Sequence, residues 1–296
     1  MIVDSDAVLA SVLKNNRDEL EIQMINGYTP ECCPYCKSKK IWQFGKTTNG
    51  IQRYRCGGDC RRTFIPVTGT CFESRRESIV DWLEYAWNIA QCGGLSDEER
   101  QSLYEKNPKW WRLFFRALEE HRKRIKFSGY LELWQVKYRL APCTEAEIKG
   151  EADGAYAYIS IGVGVDKGKT YTIFHCDGME IPKPDTILTA FIGNIARDTI
   201  LLHREQEVEM HQLLVDFLHL NSRVYSLKDT LLVGYSKAIR TEVQRDLKTF
   251  LDCHRKWLYQ DFQGYLDLLG FTLNSGAGEL EGFNILRDIV LSIKHD

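Results

Sequence analysis

Two cysteine pairs, Cys33-x2-Cys36 and Cys56-x3-Cys60, stand 19 residues apart and constrain this chain more than any other feature. Each pair fits a short knuckle, and four thiolates so arranged can converge at about 2.3 Å on a tetrahedral Zn²⁺. The intervening KSKKIWQFGKTTNGIQRYR reads as a strand, an Asn49-Gly50 hairpin turn and a second strand. A segment this small cannot bury enough apolar surface to fold alone, so the metal would supply folding energy. The expectation is a zinc ribbon over residues 29–68, with Cys33, Cys36, Cys56 and Cys60 as ligands. Cys32 falls outside that set, because the Cys-Pro-x-Cys spacing favours Cys33. The second knuckle is one residue longer than the first, and Gly57 and Gly58 are expected to permit the wider turn.

Charge is distributed unevenly around this segment. The whole chain carries a net charge of −2, but residues 29–127 hold 19 Lys/Arg against 12 Asp/Glu, and residues 128–296 hold 18 against 24. A basic front half suggests a polyanionic partner. Within the ribbon, Lys46, Arg53, Arg55, Arg61 and Arg62 are interleaved with Trp42, Phe44, Tyr54 and Phe64, a mixture suited to nucleic acid.

Helical patterns flank the ribbon. Residues 1–28 read as a helical arm ended by Asn-Gly-Tyr-Thr-Pro. After the ribbon, Ile79, Trp82, Leu83, Tyr85, Ala86 and Ile89 share one helical face. Ser96 and Glu99 form a capping-box signature, and a basic helix starts near Pro108. Helix, glycine turn, short helix and basic helix over residues 69–127 outline a helix-turn-helix, with Lys109, Arg112 and Arg116 as its candidate DNA contacts. The adjacent Trp110 and Trp111 carry no pattern that assigns them to core or surface.

The pattern changes at residue 128. GYLELWQVKYRLA, GAYAYISIGVGVD and KGKTYTIFHCDG read as three β-strands, followed by alternating helices and short buried strands. This order implies a mixed sheet, its first three strands antiparallel, with helices on both faces. A stripe of Ile239, Val243, Leu247, Phe250 and Leu251 marks a later helix. GVGVDKGK lacks the pattern of a phosphate-binding loop. His203, His211 and His219 read as surface or capping histidines, and Asp177 as a turn former.

The series CPYC…GKTTNGIQRYRCGGDCRRTF, GTCF and WLEYAW resembles the N-terminal half of bacterial insertion-sequence transposases. RDLKTFL followed by QGYL is similar to the helical end of their catalytic domain. The resemblance implies a zinc ribbon, a helix-turn-helix and, over residues 128–296, a ribonuclease H-like DDE domain. It also implies two Mg²⁺ ions held by three carboxylates for attack on phosphodiesters. The first acidic slot, an Asp-Glu pair, falls on Trp134 and Gln135; the second falls on His203; the third falls near Thr241 or Glu242. An indole cannot ligate a metal and a lone imidazole suits Mg²⁺ poorly. Glu242 is the surviving candidate, unless a shifted register brings in Glu132 and either Asp198 or Glu205.

The expectation is therefore a transposase-like, zinc-dependent DNA-binding protein without strand-transfer activity. It would have DNA and a second copy or another protein as partners, and neither a small-molecule substrate nor a membrane. Two other readings stay open: an active DDE transposase using Mg²⁺, and a protein-binding ribbon in a nucleoprotein or defence assembly. No apolar run approaches the 18 residues a membrane helix needs, and no leader pattern opens the chain. The expected location is the cytoplasm, on the nucleoid.

Overall fold

The computed structural model describes residues 17–70, 72–73, 78–90, 96, 98–99, 105, 108–140, 156–166, 169–226, 229–254, 261–275 and 279–292. The chain divides into two compact units, Met1–Ala117 with Ser275–Asp296, and Leu118–Asn274. The last helix therefore groups with the N-terminal unit, although the sequence pattern runs it on from the β-rich half.

The first unit opens with α1 (Arg17–Gly27) and a three-stranded antiparallel sheet of β1 (Ile41–Lys46), β2 (Gln52–Cys56) and β3 (Thr63–Phe64), in that order. Gly50 takes φ +84° in the hairpin turn, as the Asn-Gly pair suggests. Gly45, at φ +66°, sits in a register shift between Gln43 and Lys46, where a β-bulge needs a left-handed residue.

Helix α2 (Ile79–Ala90) follows, then α3 (Pro108–Arg124), which runs across the division between the units, and finally α8 (Glu279–Ser292). Glu21 of α1 accepts from the amides of Ile79 at 3.0 Å and Val80 at 3.2 Å. A carboxylate from one helix thus satisfies the unpaired N–H groups that begin another. Trp82 of α2 stacks on Trp110 at 4.2 Å, and Trp110 on Phe114 at 5.0 Å. Both Trp110 and Trp111 are buried, so the pair is core.

Ser96 and Glu99 form the expected capping box. The Glu99 amide donates to Ser96 Oγ at 3.2 Å and the Ser96 amide to Glu99 Oε2 at 2.8 Å. The rest of the helix-turn-helix outline rests on residues 91–107, most of which lie outside the described residues.

The second unit holds a five-stranded mixed sheet ordered β6-β5-β4-β7-β8. Its strands are β4 (Tyr130–Arg139), β5 (Tyr156–Asp166), β6 (Lys169–Gly178), β7 (Ile200–Arg204) and β8 (Asn221–Tyr225). β4, β5 and β6 pair antiparallel; β7 joins β4, and β8 joins β7, in parallel. The helices are α4 (Pro184–Phe191), α5 (Val208–Leu218), α6 (Thr230–Cys253) and α7 (Phe262–Ser275).

Side chains alternate across β4 with a period of two. Leu131 and Leu133 enter a core with Phe127, Ile187, Phe191 and Leu214, against α4 and α5. Glu132 points the other way, toward Ser236 and Arg240 of α6. The glycines of β5 have a packing role. A Cβ on Gly162 would lie 2.6 Å from the Phe191 ring, and one on Gly164 would lie 2.5 Å from the Phe127 ring.

Two side-chain amides of α7 close the open edge of β6. Gln263 accepts from the Cys176 amide at 2.8 Å and donates to the Phe174 carbonyl at 3.1 Å. Asn274 accepts from the Thr172 amide at 2.6 Å and donates to its carbonyl at 2.8 Å. An edge strand left unpaired is a template for aggregation, and here a helix continues the ladder.

Candidate functional site

The knuckles bring the four expected cysteines together. The sulfurs of Cys33, Cys36, Cys56 and Cys60 all lie within 4.8 Å of one another. The Cys33–Cys60 and Cys36–Cys56 separations are each 3.5 Å, too long for disulfide bonds. Ligands about 2.3 Å from a shared tetrahedral ion stand about 3.8 Å apart, so the cluster can hold a metal ion. Among the described residues it is the one group of three or more thiol, imidazole or acidic ligands that converges in this way. Cys32 is not part of it.

Backbone geometry explains the convergence. Lys37 and Arg61, each directly after the second cysteine of its knuckle, take φ of 60° and 48°. Such left-handed residues reverse the chain tightly. Cys33 N donates to the Ser38 carbonyl at 2.9 Å, and Cys56 N to the Arg62 carbonyl at 2.9 Å. Gly57 and Gly58 are required for room rather than for an unusual φ. A Cβ on Gly57 would lie 2.2 Å from the Trp42 ring, and one on Gly58 would lie 2.8 Å from Ser38 Oγ.

The thiols differ in acidity. The Ser38 amide and the neighbouring Cys56 thiol hold Cys36 down at about 7. The Arg62 amide pulls on Cys60, but burial and three adjacent sulfurs outweigh it and push the thiol up to about 12. Burial also raises Cys56. Four adjacent thiolates repel one another, and a shared cation removes that repulsion.

The four ribbon aromatics separate into two pairs. Tyr54 and Phe64 stack at 5.9 Å in the small core with Cys33 and Cys56. Trp42 and Phe44 stand outside, 51% and 37% exposed. Trp42 pairs in register with Arg55. Arg53 and Arg55 place their guanidinium carbons 5.5 and 5.2 Å from the Phe44 ring centre, and Arg62 lies 4.9 Å from that of Tyr35. Lys46, Arg61 and Arg62 are exposed, and Arg53 and Arg55 are half-buried. No Asp or Glu occurs on β1 or β2.

On α3, Arg112 and Arg116 are exposed one turn apart, while the side chain of Lys109 lies outside the described residues. Arg122 pairs with buried Asp267 at 2.7 Å, and Lys123 with Glu119 and Glu120 at 2.7 and 3.1 Å.

A second polar cluster occupies the α6 side of the five-stranded sheet, around Trp134, which stands in the first slot inferred for a catalytic acid. Trp134 is 3% exposed and lies under the Arg240 guanidinium, 5.0 Å from its ring centre. Arg240 donates from Nε to Glu132 at 2.5 Å, and from its terminal nitrogens to Glu207 at 2.6 and 2.9 Å. Tyr225 and Ser236 donate to Glu132 at 2.7 and 2.5 Å. Although burial opposes it, Arg240 holds the Glu207 carboxyl below the usual range.

His203 and His211, 1% and 0% exposed, face each other across 5.8 Å with no hydrogen-bond partner for any ring nitrogen. Burial lowers both, His211 to about 4. These two histidines are therefore buried, contrary to a surface reading, and burial favours their neutral form. His219 does end α5, at φ 51°. Thr241 and Glu242 are exposed on α6, away from this cluster. The sequence reading missed Arg240, Glu207, Tyr225 and Ser236.

Asp177 is no turn former either. On β6 its buried carboxylate accepts from Ser160 Oγ at 2.7 Å and Gln135 Nε2 at 3.4 Å, and lies 3.2 Å from His175 Nδ1.

No family model, curated protein or solved structure matches the chain. No described helix is long and apolar enough to cross a membrane.

Proposed function

We propose that this protein binds DNA through a zinc ribbon, and that its second unit is a ribonuclease H-like scaffold without DDE chemistry. The observation that carries the reading is the outer ribbon face, where Lys46, Arg53 and Arg55 accompany exposed Trp42 and Phe44 on two strands that carry no acid. Such a face suits a polyanion. Arg112 and Arg116 add exposed cations on a helix of the same unit, consistent with the helix-turn-helix expectation. The four sulfurs fit Zn²⁺, which would join the two knuckles and stabilise the ribbon without acting in a reaction.

Three antiparallel strands followed by two parallel additions support the ribonuclease H-like reading. The polar cluster supports the absence of two-metal chemistry. Glu132 and Glu207 are both engaged by Arg240, a tryptophan and a histidine stand in the acidic slots, and Glu242 is turned to solvent. Residues so engaged do not fit Mg²⁺, which requires free oxygen ligands. In this reading the protein derives from an insertion-sequence transposase and acts on the nucleoid, either as a dimer or with a protein partner.

The test is fluorescence anisotropy on labelled duplex DNA across a salt series, paired with a strand-transfer assay in Mg²⁺ and Mn²⁺. Expected are binding that weakens steeply with salt, loss of binding in Cys33→Ser, and no strand transfer. Strand transfer that Glu242→Gln abolishes would overturn the scaffold reading. Absence of binding at low salt would leave a protein-binding ribbon.

A further inference from the structure

We infer that the outer ribbon face binds single-stranded nucleic acid by stacking unpaired bases on Trp42 and Phe44, an inference that rests on the nucleic-acid reading above. Phosphate contact needs cations alone. Duplex DNA keeps its base faces inside the stack, so two aromatic rings held open to solvent offer it little. They suit unpaired bases, each of which presents a flat π-face.

The geometry favours this use. Trp42 pairs in register with Arg55 and Phe44 packs beside Arg53 and Arg55, so both rings lie on the face that carries these arginines, about 7 Å apart along the strand. That spacing admits successive bases of an extended chain. The Trp42 ring is braced by the bare backbone of Gly57, where even a Cβ would collide, and still leaves half its surface open. Phe44 is flanked by Arg53 and Arg55. Guanidinium planes can extend an aromatic stack while their charge attracts the phosphates on either side.

The hairpin is held by two knuckles at one end and, at the other, by Asn26 of α1, which donates to the Gly50 carbonyl at 3.1 Å and accepts from the Gln52 amide at 2.7 Å. A rigid platform loses little conformational entropy when a strand docks.

The experiment uses the full zinc-loaded chain and compares oligo-dT, oligo-rU and a duplex of matched length by anisotropy at constant salt. Trp42→Leu and Phe44→Leu keep an apolar side chain but remove the stacking ring. Each is expected to weaken single-strand binding by about 5- to 100-fold, and to weaken duplex binding by less than single-strand binding. Trp42→Phe, which retains a ring, should recover most of the affinity. Zinc content of one per chain in each variant verifies an intact ribbon. Comparison of oligo-dT with oligo-rU tells which sugar is preferred, and stacking on either supports the inference. Duplex binding without single-strand binding, or single-strand binding indifferent to Trp42→Leu and Phe44→Leu, overturns it and leaves the DNA reading intact. Binding to none of the three probes defeats both.

Discussion

Arg240 Nε lies 2.5 Å from Glu132 Oε1, and the other two nitrogens of the same guanidinium hold both oxygens of Glu207. One fixed cation thus serves one buried and one half-buried carboxylate. Truncating it would strand both charges. Arg240→Ala is expected to destabilise the protein by about 3–5 kcal/mol, the cost of unpairing a buried charge. Glu132→Gln should cost less, because Tyr225 and Ser236 can still donate to the remaining amide oxygen. Urea unfolding monitored by circular dichroism ranks the two variants; equal losses would mean that the arginine is not the organising charge.

Acidity gives a prediction with two opposing terms. The buried His211, held down to about 4, takes its proton in the unfolded chain first. Its contribution is present above about pH 6.5 and lost as pH falls toward 4, by about 3 kcal/mol. His203 shifts in the same direction. Asp267, pushed up to about 6 by burial against the pull of Arg122, has the opposite sign. Its stabilisation is full below about pH 4 and lost as pH rises through 6. In the unmodified chain Asp267 offsets part of the fall that the two histidines cause between pH 6 and 4. Asp267→Asn should therefore make stability fall more steeply on acidification, and His211→Gln should flatten or reverse that fall. Thermal midpoints at pH 4.5, 5.5 and 6.5 measure both slopes.

Glycines that look alike in sequence should respond differently. Gly162→Ala places a methyl 2.6 Å from Phe191 and 3.0 Å from Leu133, and overpacking of this kind costs about 1–3 kcal/mol. Gly234 lies inside α6, with nothing within 4 Å of an added Cβ. Gly234→Ala should stabilise by about 0.5–1 kcal/mol through helix propensity. Denaturant midpoints of opposite sign would support both assignments.

The edge of β6 offers a fourth test. Asn274→Ala removes the amide that serves both backbone groups of the buried Thr172. Unsatisfied backbone groups cost about 1–3 kcal/mol each. Hydrogen exchange at the Thr172 amide should accelerate strongly, whereas an unchanged rate would mean that the side-chain ladder contributes little.

The ribbon was legible because its chemistry is local. Two cysteine pairs, an Asn-Gly turn and short strands specify a metal knuckle without reference to distant residues. The strands of the second unit were legible for the same reason, since period-two alternation is a nearest-neighbour signal. The polar cluster was not, because it joins Glu132, Glu207, Tyr225 and Arg240 across more than 100 residues of sequence. One clue was present. Val243, Leu247, Phe250 and Leu251 of the expected stripe are buried, but toward the start of α6 the buried face continues through Arg240 and Ser236 rather than through half-buried Ile239. His203 and His211 were misjudged because isolated histidines carry no period at all.

The most direct test of the account is duplex and single-strand binding by the zinc-loaded chain, measured against the same chain stripped of metal by a chelator. The account predicts salt-sensitive binding that requires one zinc per chain and disappears on chelation, with recovery when zinc is restored. Equal binding by loaded and stripped chains, or none by either at low salt, would contradict it.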